Sequence, residues 1–219
     1  MYPNAHYRFN QNLEAPLNTE LIGMISGGLV VLSAIPYGTR TYQRKAKPNI
    51  TSWALWGVIG FALLVTYKDS GAIDNVWPAL FGFTNPCIIA GIGYWRSSTR
   101  QPFTAWEKAS IAGCLCSLGL WIVLREDKEL VQYALYVGLV ADLCAAVPTL
   151  HFVWTQPKEE RPGAWIMFAL AYGLGIFAIT EHSVANYALP LYMLIAPVTV
   201  VYPLIRYRIK AKIPLTQWI

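Results

Sequence analysis

Seven long apolar stretches recur along these 219 residues, and Asp142 is the only charged side chain inside any of them. They run from about Leu21 to Tyr37, Thr51 to Tyr67, Val76 to Trp95, Ala109 to Leu124, Leu130 to Trp154, Ala164 to Ile179 and Tyr187 to Ile205. Each approaches the ~17–25 residues that cross ~30 Å of hydrocarbon, with interfacial residues extending the shorter ones. The fourth is short, but Arg125, Glu126, Asp127 and Lys128 bound it cleanly. Composition agrees. Hydrophobic residues make up 55% of the chain, charged residues 13%, and the mean hydropathy is +0.38. A soluble domain carries about a quarter charged residues and has no use for so much apolar surface. The chain therefore reads as an all-α membrane protein with seven transmembrane helices, its first partner being the lipid bilayer.

The opening segment, MYPNAHYRFNQNLEAPLNTE, lacks the basic start and small-residue cleavage site of a signal peptide, so the first helix is expected to be retained. Basic residues set the orientation. With the N-terminus outside, thirteen of them, including Arg40, Arg44, Lys45, Lys47, Arg161, Arg206 and Lys210, fall in inner segments, against four outside: Arg8, Lys68, Arg125 and Lys128. That bias predicts an N-terminus outside and a C-terminus in the cytoplasm. The net charge of +5 is then topogenic, and no nucleic-acid partner is expected. Cys87, Cys114, Cys116 and Cys144 lie in spans and lack metal or redox spacing, and His6, His151 and His182 are scattered, so neither a metal nor a cofactor is expected. No span combines a nucleophile with a placed base, which argues against an enzyme.

The chain repeats itself. At an offset of 112 residues, Pro36 pairs with Pro148, Trp53 with Trp165, Trp56 with Phe168, Asp69 with Glu181 and Pro78 with Pro190, while Pro86 matches Pro197 after a one-residue slip. Helices one to three thus correspond to five to seven, and helix four is left as a connector. An odd number of helices per unit plus one extra crossing gives both units the same orientation, a parallel repeat about an axis along the membrane normal. The predicted architecture is 3+1+3, two parallel three-helix bundles joined by a linker helix. Its divisions are an extracytoplasmic tail (1–20), a first unit (21–95), the linker helix with its loops (96–129), a second unit (130–207) and a cytoplasmic tail (208–219). Pro36, Pro86, Pro148 and Pro197 are expected to kink their helices and act as hinges.

This layout, the N-out topology and the paired prolines Pro36 and Pro148 resemble the SWEET and PQ-loop (MtN3-like) superfamily. The segments KPNITSWALW (47–56) and VADLCAAVPT (140–149) resemble uncharacterised bacterial membrane proteins of the same architecture, which implies a bacterial inner membrane. Two departures stand out. The Pro-Gln dipeptide is Pro36-Tyr37 in one unit and Pro148-Thr149 in the other, and helices two and six lack the proline found in SWEET proteins. The resemblance implies alternating-access transport of a small polar solute held between the units, but carries no sugar specificity.

Asp142, near mid-depth, is read as a coupling or solute-accepting carboxylate, or as a carboxylic acid bonded to a neighbour such as Ser33. A charge there costs at least ~2.5–3.5 kcal/mol on insertion scales. The resemblance suggests that Asn85 contacts substrate; its counterpart, Ala196, is apolar. Trp53 and Trp56 share a helix face, as do Trp165 and Phe168, and serve either as a stacking wall or as an interfacial aromatic belt. The nicotinamide riboside carriers of this fold have a similar WxxW, though Gly60 stands where their motif continues with a polar residue. Tyr192 is either a packing or a pocket residue. The competing function is a non-transporting receptor or an accessory subunit, in a homo-oligomer or a larger membrane complex. A water-reachable cavity beside Asp142 favours transport; a paired, dry Asp142 favours the competitor.

Overall fold

With no water to satisfy them in hydrocarbon, backbone N–H and C=O groups must bond within their own segment, and a long apolar run does so only as a helix. The computed structural model describes residues 18–46, 48, 50–73, 75–96 and 102–218. The tail with His6 and Arg8, and the loop cations Lys47 and Arg100, lie outside them. The described residues form α1 (Thr19–Tyr42), α2 (Ile50–Asp69), α3 (Val76–Trp95), α4 (Ala105–Leu124), α5 (Val131–Thr155), α6 (Pro162–Gly175) and α7 (Val184–Lys210), with short 3-10 turns at Ile176–Ala178 and Leu215–Gln217. Local chemistry sets the starts. Asn18 accepts from the Leu21 N–H, Thr104 and Glu107 form a capping box, Pro162 opens α6, and Ser183 accepts from the Asn186 N–H.

Six of these helices are long and apolar enough to cross a bilayer. The protein is an integral multi-span membrane protein. Only 22% to 39% of each spanning window is buried inside the protein, and large apolar side chains such as Val123 and Ile88 are exposed, as expected of helices solvated by lipid. The expectation of seven equal spans fails at α6 rather than at α4. Fourteen α-helical residues rise about 21 Å and the 3-10 turn after them about 6 Å, just short of ~30 Å. Its last turn is held against α1. The Ser26 hydroxyl donates to the Ala171 carbonyl (2.6 Å), and Gly175 is so close to α1 that a Cβ there would sit 3.0 Å from Ser26 Oγ.

α3 packs against both α1 and α2, and α7 against both α5 and α6; α1 meets α6, and α2 meets α5. α4 lies mainly on α5 and partly on α2. One continuous core draws on all seven helices, through Val30, Ile59, Leu63, Ala79, Cys114, Leu135, Tyr172 and Leu189 among others. A smaller cluster of Val153, Val200 and Leu204 joins α5 to α7. Small residues and hydroxyls set the close approaches, as expected where lipid removes the hydrophobic drive between helices. Ser110 and Ser117 of α4 donate to the Ala141 and Ala134 carbonyls of α5 at 2.6 and 2.7 Å. Gly60 of α2 leaves so little room that a Cβ would fall 2.8 Å from the Phe83 Cα of α3.

Candidate functional site

Asp142 and Tyr192 are brought together. The Tyr192 hydroxyl of α7 donates to Asp142 Oδ2 of α5 at 2.7 Å, joining the one carboxylate at membrane depth to a phenol on the neighbouring helix. Both side chains are half-buried. Ser33, the partner expected from sequence, instead donates to its own helix at the Val30 carbonyl (2.6 Å). A charge-assisted bond of this kind is among the stronger ones, and it leaves Asp142 Oδ1 as a second acceptor for a solute donor or a proton.

Two further tyrosines extend polar contacts across the helix interfaces. The Tyr172 hydroxyl of α6 donates to the Pro78 carbonyl of α3 at 3.0 Å. Tyr67 of α2 donates to the Asn186 carbonyl of α7 at 2.9 Å and accepts from the Asn75 amide. Asn186 is 1% exposed; its amide donates to the Glu181 carbonyl (2.8 Å), while its Oδ1 has no partner among the described residues. These four residues, Tyr67, Asn75, Tyr172 and Asn186, were missed in the sequence. For Tyr172 the available signal was a lone hydroxyl in an otherwise apolar run, ALAYGL.

The other expected site residues sit elsewhere. Asn85 is buried in α3 and donates to the Val30 carbonyl of α1 (2.8 Å), a helix-to-helix bond. Trp53 and Trp56 meet edge to face at 5.4 Å, and Tyr37 lies 4.9 Å from Trp53, so the three rings form one cluster near the basic end of the bundle. Trp165 packs on the separate Val153 cluster. Pro36, Pro86, Pro148 and Pro197 all lie inside helices, α1, α3, α5 and α7 in turn. Nothing brings Asn85 or the tryptophans to Asp142 in this state.

The two ends of the bundle are tied differently. At the end where α2, α4 and α6 finish, Asp69 accepts from the Trp121 indole (2.7 Å), and Glu181 pairs with Lys128 (2.6 Å). Both acids, equivalent positions of the repeat, are engaged by α4 or the loop after it. At the opposite, basic end, Arg208 is 3% exposed and donates to the Pro157 and Glu160 carbonyls. Burial pushes the nearby Glu160 carboxyl above its usual range, against the pull of the Arg161 N–H and of the Arg40, Arg208 and Arg161 charges. Burial in turn lowers the Arg161 guanidinium, and the charge of Arg40 adds to that. Glu107, fully buried at the start of α4, accepts from Ser52 of α2 (2.5 Å) as well as closing its own capping box.

Compared with protein-family models, curated proteins and solved structures, the chain matches none.

Proposed function

We propose that this protein is a small-solute carrier of SWEET-like 3+1+3 design, with the Asp142–Tyr192 pair as the polar centre of its solute or proton site. The observation that carries the reading is that Asp142, at membrane depth, is only half-buried, because a lone carboxylate there is costly and is usually found on a solute or ion path. The helix contacts support the two-unit part. Under the exchange of α1, α2, α3 with α5, α6, α7, the packing of α1 and α2 on α3 becomes that of α5 and α6 on α7, and α1 on α6 becomes α5 on α2. An in-sequence repeat with the same relation makes a pseudo-twofold axis along the membrane normal the simplest arrangement, with α6 as the seventh crossing. The Tyr67–Asn186 contact, from α2 of one unit to α7 of the other, then belongs to a state closed at the non-basic end. The basic end faces the cytoplasm by the positive-inside rule.

Two observations favour the receptor or accessory-subunit alternative, the first being that Asp142 is paired, with Tyr192. α4 is bonded to α5 through Ser110 and Ser117 and to α2 through Glu107 and Trp121, so it straps the two units together. The deciding experiment is a thermal-shift screen of the detergent-purified protein against sugars, nucleosides, amino acids and vitamins, repeated with Asp142→Asn. A solute at 100 times its Kd raises apparent stability by about 2.7 kcal/mol. A shift that vanishes in the variant supports the carrier. A folded protein that responds to no solute, with a variant as stable as the native chain, supports the static subunit.

A further inference from the structure

Between the end of α5 and the last two turns of α7 lies a groove of about 200 Å³, lined by Trp154, Pro157, Tyr202, Arg206, Tyr207 and Lys210 among others. Three of these, Tyr202, Arg206 and Lys210, are spaced four residues apart and form one face of α7. The aromatic floor is exposed: Trp154 and Tyr202, whose rings are 5.8 Å apart, are 54% and 55% accessible. They sit at the end of spanning helices, the level at which amphipathic rings meet headgroups. The cations differ sharply from their neighbour. Arg208 is buried and spends its guanidinium on loop carbonyls, whereas Arg206 and Lys210 are exposed and have no hydrogen-bond or ion-pair partner among the described residues. No lining residue is acidic.

We propose that this groove is a headgroup site for an anionic phospholipid of the leaflet at the basic end. The phosphate lies between Arg206 and Lys210, and the glycerol and first acyl carbons lie on Trp154 and Tyr202. Helix-end cations also complement the C-terminal dipole of α7, but that role needs neither the aromatic floor nor the groove. Basic groups at a membrane surface favour anionic lipid by about 1 kcal/mol each, so two of them predict roughly thirtyfold preference over zwitterionic lipid.

The test titrates the purified protein with phosphatidylglycerol, phosphatidylcholine or inorganic phosphate and follows Tm. Expected is a phosphatidylglycerol-specific rise that is lost in Arg206→Gln/Lys210→Gln and kept in Arg44→Gln/Lys45→Gln, a basic pair at the same end. An equal rise with phosphatidylcholine, an unchanged rise in the Arg206/Lys210 variant, or a rise with phosphate alone overturns the proposal. A second readout needs no variant. Photo-crosslinkable phosphatidylglycerol on the native protein should label the peptides holding Trp154 to Pro157 and Tyr202 to Lys210, and labelling confined to other peptides overturns it as well.

Discussion

A hydrogen bond in the membrane interior matters most for what is left behind when it is cut. Tyr192→Phe removes the only donor to the Asp142 carboxylate among the described residues and strands a carboxylate at depth, at a cost of about 1–2 kcal/mol. Asp142→Asn keeps an acceptor oxygen for the tyrosine and should cost less. Denaturation in detergent should therefore rank Tyr192→Phe as the more damaging change, and the reverse order would mean that the carboxylate has structural partners beyond the phenol. Glu160 gives a pH dependence whose sign follows from its raised native value. The native state holds that proton more tightly than the unfolded chain does, so its contribution favours folding at low pH and is lost as pH rises through the unfolded and then the native range. Glu160→Gln keeps an acceptor for the Arg161 N–H while removing the buried charge. Its Tm advantage over the native chain should be near zero at about pH 4 and grow towards about pH 7. An advantage that shrinks instead would show the three arginines outweighing burial.

Helices in this molecule were legible from hydropathy alone, because a bilayer makes apolar length and helix length nearly the same quantity. The window from about Thr51 to Tyr67 became Ile50–Asp69, and that from Val76 to Trp95 kept its ends. α6 is the shortest of the seven, as its short apolar window from Ala164 to Ile179 already indicated, while the hold of Ser26 of α1 on its last turn is what hydropathy cannot see. Close helix contact depends on small residues. A Cβ at Gly57 or Gly60 would fall 2.7 Å from Cys87 Sγ or 2.8 Å from the Phe83 Cα. The second obstacle is backbone, so Gly60→Ala must push α2 and α3 apart at about 1–3 kcal/mol. Gly91, on the same α3, has nothing within 4 Å of its would-be Cβ. Gly91→Ala should be neutral or stabilise by up to about 1 kcal/mol. Thermal melts of the two variants side by side check the contrast, and equal effects would mean that the α2–α3 contact is looser than described.

Across the whole molecule, the repeat was readable because prolines and tryptophans recur at one offset, whereas the tyrosine bridges were not, because they break that repeat. The residue 112 before Tyr172 is Gly60, so the position that carries a phenol in one half is pressed against a backbone in the other. Asymmetry of this kind gives the proposed carrier two unlike walls, and it places polar bridges from α2 to α7 and from α6 to α3, which the two-unit reading assigns to different halves, and from α7 to α5 within one half. If the halves rock, contacts at the non-basic end must part. Ile73 of the first unit and Glu181 of the second are suited to test this, since a Cβ on nearby Gly71 would fall 2.8 Å from Glu181 Oε2 and Ile73 is 72% exposed. Exposed side chains contribute little stability, so replacing them should leave the fold intact. In a background with the exposed thiols Cys87 and Cys116 changed to alanine, Ile73→Cys/Glu181→Cys should cross-link in high yield with a bifunctional thiol reagent. Tethered protein in vesicles should still show the thermal shift of any solute found in the screen, yet exchange that solute across the membrane at least tenfold more slowly than the untethered variant. Full exchange with the tether in place would remove rocking at this end from the mechanism, while no exchange by either form would favour the rigid subunit in which α4 straps α2 to α5.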